Sequence, residues 1–389
     1  MPIDIRGRIP FTGKHPLSDT AIGRYASFFI QPPSPTTADA HTIVRAAREQ
    51  ERLGYDSSLI PQNSTRPDVW ACTGWALAAT KRLKLVAAHR IGLQAPTLAA
   101  RTLATLDRLS GGRQQVHILQ GRTDADMRRD GDFLDLSDRY RRAEEYVRIF
   151  KQTLTSPEPF DFEGDFYRVK GAFSEIKPVQ SPHPVLHFPG GSEAGQHLAA
   201  RHADAWAVNG TTVDEVRGAI QGIQGIALQH YGRRLERFWT GGFNLILADT
   251  EQSAWDRAEQ IADEVEGFIA AGRAQAPINT RSSAGAPPRP DREGESLYFR
   301  LATLTGHGPS LVGTPDSVAR ALLAYYDVGV TTVTLGGLCE YHSFDGHDLI
   351  THDDKDLLAK LIATLRRGVA QRDAARLRDD AAKPAAEAA

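Results

Sequence analysis

A strand–loop–helix–strand pattern from Lys81 to Gln120 constrains the fold of this chain more than any other segment. The apolar run LKLVAA precedes a polar loop, a helical segment with Pro at its start and Ala or Leu every three or four residues, and, after a Gly-Gly stop, the apolar run QQVHIL. This is the repeating unit of parallel α/β folds. Chemistry in such folds collects after the carboxyl ends of the strands. The first candidate residues are therefore His89, Arg90, His117 and Gln120.

Eight strand-like runs alternate with helical patterns along the 389 residues. The predicted strands lie near residues 26–31, 56–62, 83–88, 114–120, 185–191, 204–210, 243–249 and 331–337. This alternation, in a chain of this length, favours a closed (β/α)8 TIM barrel over an open doubly wound sheet. Residues 1–25 are then an N-terminal extension, residues 26–368 form the barrel, and residues 369–389 are a flexible tail.

Three insertions interrupt the predicted barrel, at residues 121–137, 158–183 and 274–312. The first is polar and charged, and it follows the fourth predicted strand on the face where a barrel binds its ligand. The second alternates apolar and polar residues around a Glu-Gly-Asp turn, which predicts a hairpin. The third is rich in Pro, Gly, Ser and Arg, and its length is typical of a mobile lid or a disordered connection.

Composition argues against several classes of function. A net charge of −2 without any Lys/Arg-rich run argues against nucleic acid as a partner. No apolar run approaches the ~20 residues of a membrane span, and the N-terminus lacks the apolar core of a secretory signal, so we expect a cytoplasmic protein. The two cysteines, Cys72 and Cys339, have no disulfide or metal-binding spacing. We expect Cys72 in the core and Cys339 in a Gly-rich loop.

Two motifs point to an anionic organic cofactor. Gly190-Gly191-Ser192 separates an apolar strand from a helical segment, and such a turn offers close backbone approach, a hydroxyl and a helix N-terminus. Arg139 and Tyr140 open a helix after the first insertion and offer a guanidinium and a phenol to the same anion. A plain turn and an ordinary helix start also explain these motifs. A metal is not indicated, since no His/Asp/Glu trio has suitable spacing, and a GxSxG elbow is absent.

Several segments together resemble the bacterial luciferase-like flavin monooxygenases. The resembling pieces are LGYDSSLIP, PTLAARTLATLDRLSGGR, VHILQG, DGDFLDLSDRYRRAEEYVRIFK, DFEGDFYRVKG with KPVQSPHPVLHFPGGS, and LVGTPDSVARAL. They follow the family's order from about Gly54 to Leu338. The run Asp-Gly-x-Phe-Leu-x-x-Ser-x-Arg-Tyr is most similar to the alkanesulfonate monooxygenase branch.

The resemblance implies a TIM barrel that binds reduced FMN, supplied by a separate NAD(P)H-dependent flavin reductase, and uses O₂ to oxidise a small molecule. For an alkanesulfonate, carbon–sulfur cleavage would release an aldehyde and sulfite. A homodimer or homotetramer is also implied. Carried over position by position, Gln62, Asn63 and His117 would line the flavin ring. The phosphate would be held by Arg139, Tyr140, Gly191 and Ser192.

The substrate side departs from the alkanesulfonate pattern. The family's His after the first strand, its Cys after the second and its Arg-x-His pair on the seventh are replaced by FFIQPPSP, by Arg66 or a neighbour, and by Gly242 and Asn244. We predict Arg90, Asn244 and His307 as the catalytic groups that meet the substrate, with His89 beside Arg90 at the rim. Three alternatives stay open: a relative acting on a sulfone, amide or N-heterocycle, a deazaflavin-dependent dehydrogenase, and a non-catalytic flavin-binding barrel.

Overall fold

The computed structural model describes most of the chain: residues 2–11, 17–30, 39–62, 64–121, 123–273, 289–306, 308–337, 343–344, 347–348 and 352–386. Two predicted site residues, Asn63 and His307, lie outside these ranges, as do Cys339 and residues 274–288 of the third predicted insertion.

The described strands are β1 (Asp4–Arg8), β2 (Ser57–Ile60), β3 (Lys84–Arg90), β4 (Gln114–Leu119), β5 (Phe160–Glu163), β6 (Arg168–Ala172), β7 (Leu186–Pro189), β8 (Ala205–Asn209), β9 (Arg237–Leu247), β10 (Arg292–Glu293), β11 (Leu297–Tyr298), β12 (Ser310–Gly313), β13 (Thr332–Gly337), β14 (Ser343–Phe344) and β15 (His347–Asp348). Eight of them close a parallel barrel in the order β1-β2-β3-β4-β7-β8-β9-β13 and back to β1. The predicted TIM barrel is therefore confirmed. The hairpin predicted in the second insertion is also present, as the antiparallel pair β5–β6.

The described helices are α1 (Ala21–Phe29), α2 (Ala40–Leu53), α3 (Val69–Ala79), α4 (Pro96–Ser110), α5 (Asp124–Arg129), α6 (Leu136–Thr155), α7 (Glu193–His202), α8 (Val213–Tyr231), α9 (Glu251–Ala270), α10 (Arg300–Thr305), α11 (Pro315–Asp327) and α12 (His352–Ala386). Local sequence explains their ends. In α4, Pro96 starts the helix and Gly111, with φ of +68°, ends it. No described helix is both long and apolar enough to cross a membrane.

The first barrel strand is not the predicted one. Residues 26–29 of the segment predicted as a strand belong instead to α1, whose Tyr25 and Phe29 are buried in a cluster with residues of α9. An i, i+4 spacing of aromatic residues suits one face of a helix. The barrel begins with β1, inside the predicted N-terminal extension, where Arg6 lies opposite Ser57 of β2. The boundary predicted at residue 26 is wrong for this reason.

The predicted tail continues the last helix. α12 runs on to Ala386, and its middle packs on α11, where Arg372 Nε donates to Asp327 Oδ1 at 2.8 Å and Tyr326 bonds to Asp373. The Arg376 guanidinium lies 4.9 Å from the centre of the Tyr326 ring. At least as far as Arg376, the predicted flexible tail is held against the barrel's helical layer.

Polar side chains fill part of the barrel interior. His117 of β4 and Arg6 of β1 both contact Trp239 of β9, although neither β4 nor β1 neighbours β9 in the sheet. Contacts between such strands lie in the lumen. The opposite faces of the same strands carry apolar residues, such as Val116 and Phe243, that are buried in the shell beneath the helices.

Candidate active site

The turn between β7 and α7 brings together three of the predicted phosphate-binding residues, Tyr140, Gly191 and Ser192. Ser192 Oγ donates to Tyr140 Oη at 3.0 Å and, as the N-cap of α7, accepts from the Gly195 amide at 3.3 Å. Both hydroxyls therefore stand at the positive end of a ten-residue helix. Hydroxyl donors at a helix N-terminus form a suitable site for a phosphate group.

Glycines allow the backbone of this turn to pack closely. Gly190 has φ of +154°, and a Cβ on it would lie 2.7 Å from the carbonyl carbon of Gly195. A Cβ on Gly195 would lie 2.9 Å from Tyr140 Oη. By contrast, a Cβ on Gly191 would meet nothing within 4 Å. The turn is thus tightly packed on the protein side and open at Gly191, where a ligand can approach the main chain.

Arg139 does not join this turn. Its buried guanidinium donates to the Leu134 carbonyl at 2.8 Å through Nη1 and to Asp124 Oδ1 at 2.8 Å through Nη2. These partners belong to the first insertion and the start of α5, so Arg139 holds that segment against α6. The geometry gives no support to the predicted phosphate contact, because the charge of Arg139 is already paired.

Arg90 lies at the end of β3 but is also paired. Its Nη1 is 2.6 Å from Asp126 Oδ2, and its Nη2 bonds to Asp130, while the side chain is 3% exposed. Gln62 lies beside it and accepts from the Arg90 amide at 3.2 Å. Gln62 is therefore at the barrel mouth, and its contact with the flavin ring stays a prediction. Arg90 is at the mouth too, but its guanidinium, which was predicted to meet the substrate, is paired with two carboxylates of the first insertion.

His89 is not at the rim. Successive residues of a strand face opposite sides, and His89 faces the helices, with Nε2 2.7 Å from Tyr146 Oη and its ring 5.2 Å from that of Trp70. Burial lowers the pKa of His89 to about 3. The rim position predicted for His89 is wrong, because it is packed between barrel and helices as a neutral residue.

His117 faces the lumen, as its predicted role at a flavin ring requires. Its ring lies 4.8 Å from that of Trp239, edge to face, and Trp239 is also 5.6 Å from the ring of His187 on β7. Burial, and next the positive charge of Arg6, lower the pKa of His117 to about 3, although a hydrogen bond to the backbone of His187 opposes them. His117 is therefore neutral near pH 7. Its Nδ1 is buried without a hydrogen-bond partner among the described residues.

Asn244 lies in β9 beyond the irregularity at which that strand's pairing with β13 shifts register. Asn244 Oδ1 accepts from Arg8 Nη2 at 3.3 Å, and its Nδ2 donates to the Gly308 carbonyl at 3.4 Å. Arg8 ends β1, so this pair is at the carboxyl ends of the strands, where substrate-side groups are expected.

Four residues of this region, Arg6, Arg8, His187 and Trp239, were not among the predicted site residues. Arg6 and Arg8 belong to the strand that the sequence did not reveal, and Trp239 precedes the predicted start of β9. For Arg6 and Arg8, the signal that could have found them is the alternation of charged and small or apolar residues in DIRGR, which is typical of a strand with one polar face.

A sequence profile of the luciferase-like monooxygenases matches residues 20–332. The chain belongs to this family. The family predicted from the sequence is thus confirmed, and this luciferase-like protein is a flavin-dependent monooxygenase.

Solved structures of low identity share its fold. They include riboflavin lyase with modified FMN and riboflavin (TM-score 0.68, 18% identity, 94% of this chain and 92% of that one). EDTA monooxygenase from Chelativorans sp. BNC1 has a TM-score of 0.68 at 16% identity, over 96% of this chain and 95% of its own. Long-chain alkane monooxygenase has a TM-score of 0.69 at 17% identity, over 96% and 92%. At these identities the likeness shows the barrel fold alone.

The residues of the luciferase-like barrel fit a flavin mononucleotide. The Ser192–Tyr140 hydroxyl pair and the open Gly191 suit its phosphate. At the end of β4, His117 Nδ1 and Gln120 Nε2 are buried without hydrogen-bond partners in the described part of the chain. Buried polar atoms normally have partners. A ring that carries carbonyl oxygens and ring nitrogens would provide them.

Proposed function

We propose that this protein is the oxygenase of a two-component system that takes reduced FMN from a separate NAD(P)H-dependent flavin reductase. Its substrate is a small anionic organosulfur compound, in the first place an alkanesulfonate. The observation that supports FMN as the cofactor is the geometry of the β7–α7 turn, where Ser192 and Tyr140 place two hydroxyls 3.0 Å apart at a helix N-terminus.

Reduced FMN, when bound, supplies the two electrons that activate O₂. In the proposed reaction the carbon–sulfur bond of the substrate breaks, one oxygen atom stays on carbon as an aldehyde, the other becomes water, and sulfite leaves. The chain's own contribution is binding and exclusion of water. Tyr140 and Ser192 bind the phosphate, and the packed lumen around Trp239 keeps solvent from the reacting atoms.

Two groups at the mouth support an anionic substrate. Arg8 ends β1 and donates through Nη2 to Asn244 Oδ1 at 3.3 Å, so the two polar side chains lie together at the carboxyl ends of the strands. Arg90 does not support it, since its charge is balanced by Asp126 and Asp130. Of the three predicted catalytic residues, Asn244 therefore keeps its proposed role, and His307 remains a prediction from the sequence.

The test is a product assay under controlled oxygen. Reduced FMN is bound anaerobically, and O₂ is added with a panel of alkanesulfonates, sulfones, amides and N-heterocycles, while oxygen uptake and sulfite are measured. We expect sulfite release matched to substrate-dependent oxygen uptake with at least one sulfonate. Oxygen uptake without sulfite would move the substrate to another class. FMN binding with no product from any substrate would contradict the oxygenase, and alcohol-dependent reduction of a deazaflavin would indicate a dehydrogenase.

A matched pair of variants connects this assay to the site. Ser192→Ala removes a phosphate donor together with a helix cap, whereas Thr250→Ala removes the N-cap of α9. Loss of a cap costs about 1 kcal/mol of stability in either case. Only the first change should raise the Kd for FMN. Equal Kd values in both variants would contradict the phosphate assignment.

A further inference from the structure

Arg6 is a charged residue buried in the lumen of the barrel. Its side chain is fully buried, its Nε donates to Ser57 Oγ at 2.8 Å, and its guanidinium carbon lies 4.5 Å from the centre of the Trp239 ring. Its Nη2 is 3.6 Å from Asp4 Oδ2. Beyond this ion pair, neither terminal nitrogen has a hydrogen-bond partner among the described residues.

The Arg6–Asp4 pair is directional. β1 runs from Asp4 toward the barrel mouth, so Asp4 lies nearer the opposite end of the barrel, where its side chain is 22% exposed and accepts from Ser57 Oγ at 2.6 Å. The positive end of the pair therefore points toward the mouth. The carboxylate end reaches water and is more strongly screened.

The fold does not need this arrangement. A buried donor without a partner costs about 1–3 kcal/mol, more when it is charged, and an apolar side chain of similar size often fills such a position at no loss of stability. Among the described residues, Asp4 is the counter-charge that pairs with Arg6, and the other lumen side chains around it are neutral. Trp239 Nε1 donates to Thr334 Oγ1 at 2.5 Å, and the lumen histidines His117 and His187 are kept neutral by burial and by Arg6 itself.

Burial lowers the pKa of the Arg6 guanidinium and the nearby Asp4 raises it, but an arginine side chain keeps its positive charge near pH 7. A flavin held by its phosphate at the β7–α7 turn would have its ring near β4, the strand beside β7, where His117 pairs in register with His187. The Trp239 ring contacts both histidines and Arg6. Trp239 therefore lies between the buried guanidinium and the surface formed by His117 and His187. We call this surface, on which a flavin ring would lie, the floor of the site.

We propose that Arg6 is a positioning residue that gives this floor a fixed positive potential, and so makes the site bind anionic reduced flavin more tightly than neutral oxidised flavin. The inference rests on the proposed function, because it assumes FMN in this site. Charge near the ring nitrogens is one of the means by which a protein tunes a flavin. A preference for the reduced form also suits an enzyme that receives it from another protein.

The test compares affinities for the two redox forms. Kd values for oxidised and reduced FMN are measured anaerobically on the full chain, for the wild type and for Arg6→Met, Arg6→Lys and Asp4→Asn. We expect Arg6→Met to lower the ratio of reduced to oxidised affinity about tenfold, which is about 30 mV in the potential of the bound two-electron couple. Arg6→Lys should keep most of the ratio. Asp4→Asn, which leaves Arg6 without its counter-charge, should increase it.

A control separates charge from folding. Arg113 is also partly buried and bonds to backbone carbonyls of Leu77 and Leu83 before β4, at the barrel's other end. Arg113→Met should leave the ratio unchanged. If Arg6→Met does not fold, Asp4→Asn still decides, since an unchanged or lower ratio there overturns the inference. Equal weakening of both forms in Arg6→Met also overturns it. A wild type that binds neither form overturns the proposed function together with the inference.

Discussion

Replacement of Arg90 by Met separates a structural role of this residue from a substrate-binding one. The change removes two ion pairs, to Asp126 at 2.6 Å and to Asp130, from a side chain that is 3% exposed. Breaking a buried pair costs about 3–5 kcal/mol, because the remaining charge is left without compensation. Here the aspartates are 18% and 31% exposed, so water relieves part of the cost. We expect a loss of about 3 kcal/mol in the free energy of unfolding.

The assay is equilibrium unfolding in urea, followed by fluorescence, for the wild type and for Arg90→Met. A triple variant, in which Asp126→Asn and Asp130→Asn accompany Arg90→Met, serves as the control. It removes all three charges, and neutral replacement of a buried ion pair is often tolerated. We expect the triple variant to recover most of the lost stability. Steady-state kinetics on the triple variant then report on the substrate, free of the folding defect.

The reasoning fails if Arg90→Met unfolds within about 1 kcal/mol of the wild type. It fails equally if the triple variant is stable but its KM for an anionic substrate rises tenfold or more, since a tenfold change is about 1.4 kcal/mol of lost binding. Either result would indicate that Arg90 binds the substrate. An unchanged KM in the stable triple variant would confirm that Arg90 fixes the first insertion and does not bind substrate.

Three further predictions concern the β7–α7 turn and the buried histidines. Tyr140→Phe and Ser192→Ala should each weaken FMN binding by about 1–3 kcal/mol, measured by fluorescence titration, and unchanged affinity would remove these hydroxyls from the phosphate site. Gly191→Ala should leave the urea midpoint unchanged, because its Cβ meets nothing within 4 Å, yet raise the Kd for FMN; full affinity would mean that no ligand approaches there. From pH 7.5 to pH 5 the protein should lose stability, since His89 and His117, with a pKa of about 3 when folded, take up protons only when unfolded, near pH 6.5. Each of the two histidines should lower the free energy of unfolding by about 2 kcal/mol at pH 5. The loss of stability between pH 7.5 and pH 5 should therefore be about 2 kcal/mol smaller in His89→Gln than in the wild type. An equal loss in both proteins would contradict the buried neutral state.

The sequence predicts the fold well wherever a strand is apolar on its buried faces. The runs around Leu85, Val116 and Phe188 were found because both sides of these strands are covered, by the helices and by the lumen. β1 and the first half of β9 were not found. Their lumen faces carry Arg6 and Trp239, and Gly241-Gly242 interrupts the pattern of β9, so neither shows a continuous apolar run.

The sequence predicted which site residues lie together where their contacts are fixed locally. Ser192 caps the helix that follows it, and the neighbouring glycines pack the turn, so the sequence around the turn already determines the geometry that Tyr140 joins. The sequence did not predict the partners of the arginines. Arg90 and Arg139 pair with aspartates that lie 15 to 40 residues away in the chain. Spacing along the sequence does not reveal which acidic residue the fold brings near.

Those acids share one segment, and this explains why the arginines of the region are occupied. Arg90, Arg139 and Arg142 reach from β3 and α6 into the first insertion, and each binds an aspartate there; for Arg142 the partner is Asp132, at 2.5 Å. All three guanidiniums are at least nine-tenths buried. Salt screens such pairs weakly, and each constrains the segment at a different point. Ion pairs within the chain therefore hold the first insertion in place at the barrel mouth. The β7–α7 turn beside it needs no ligand to order this segment.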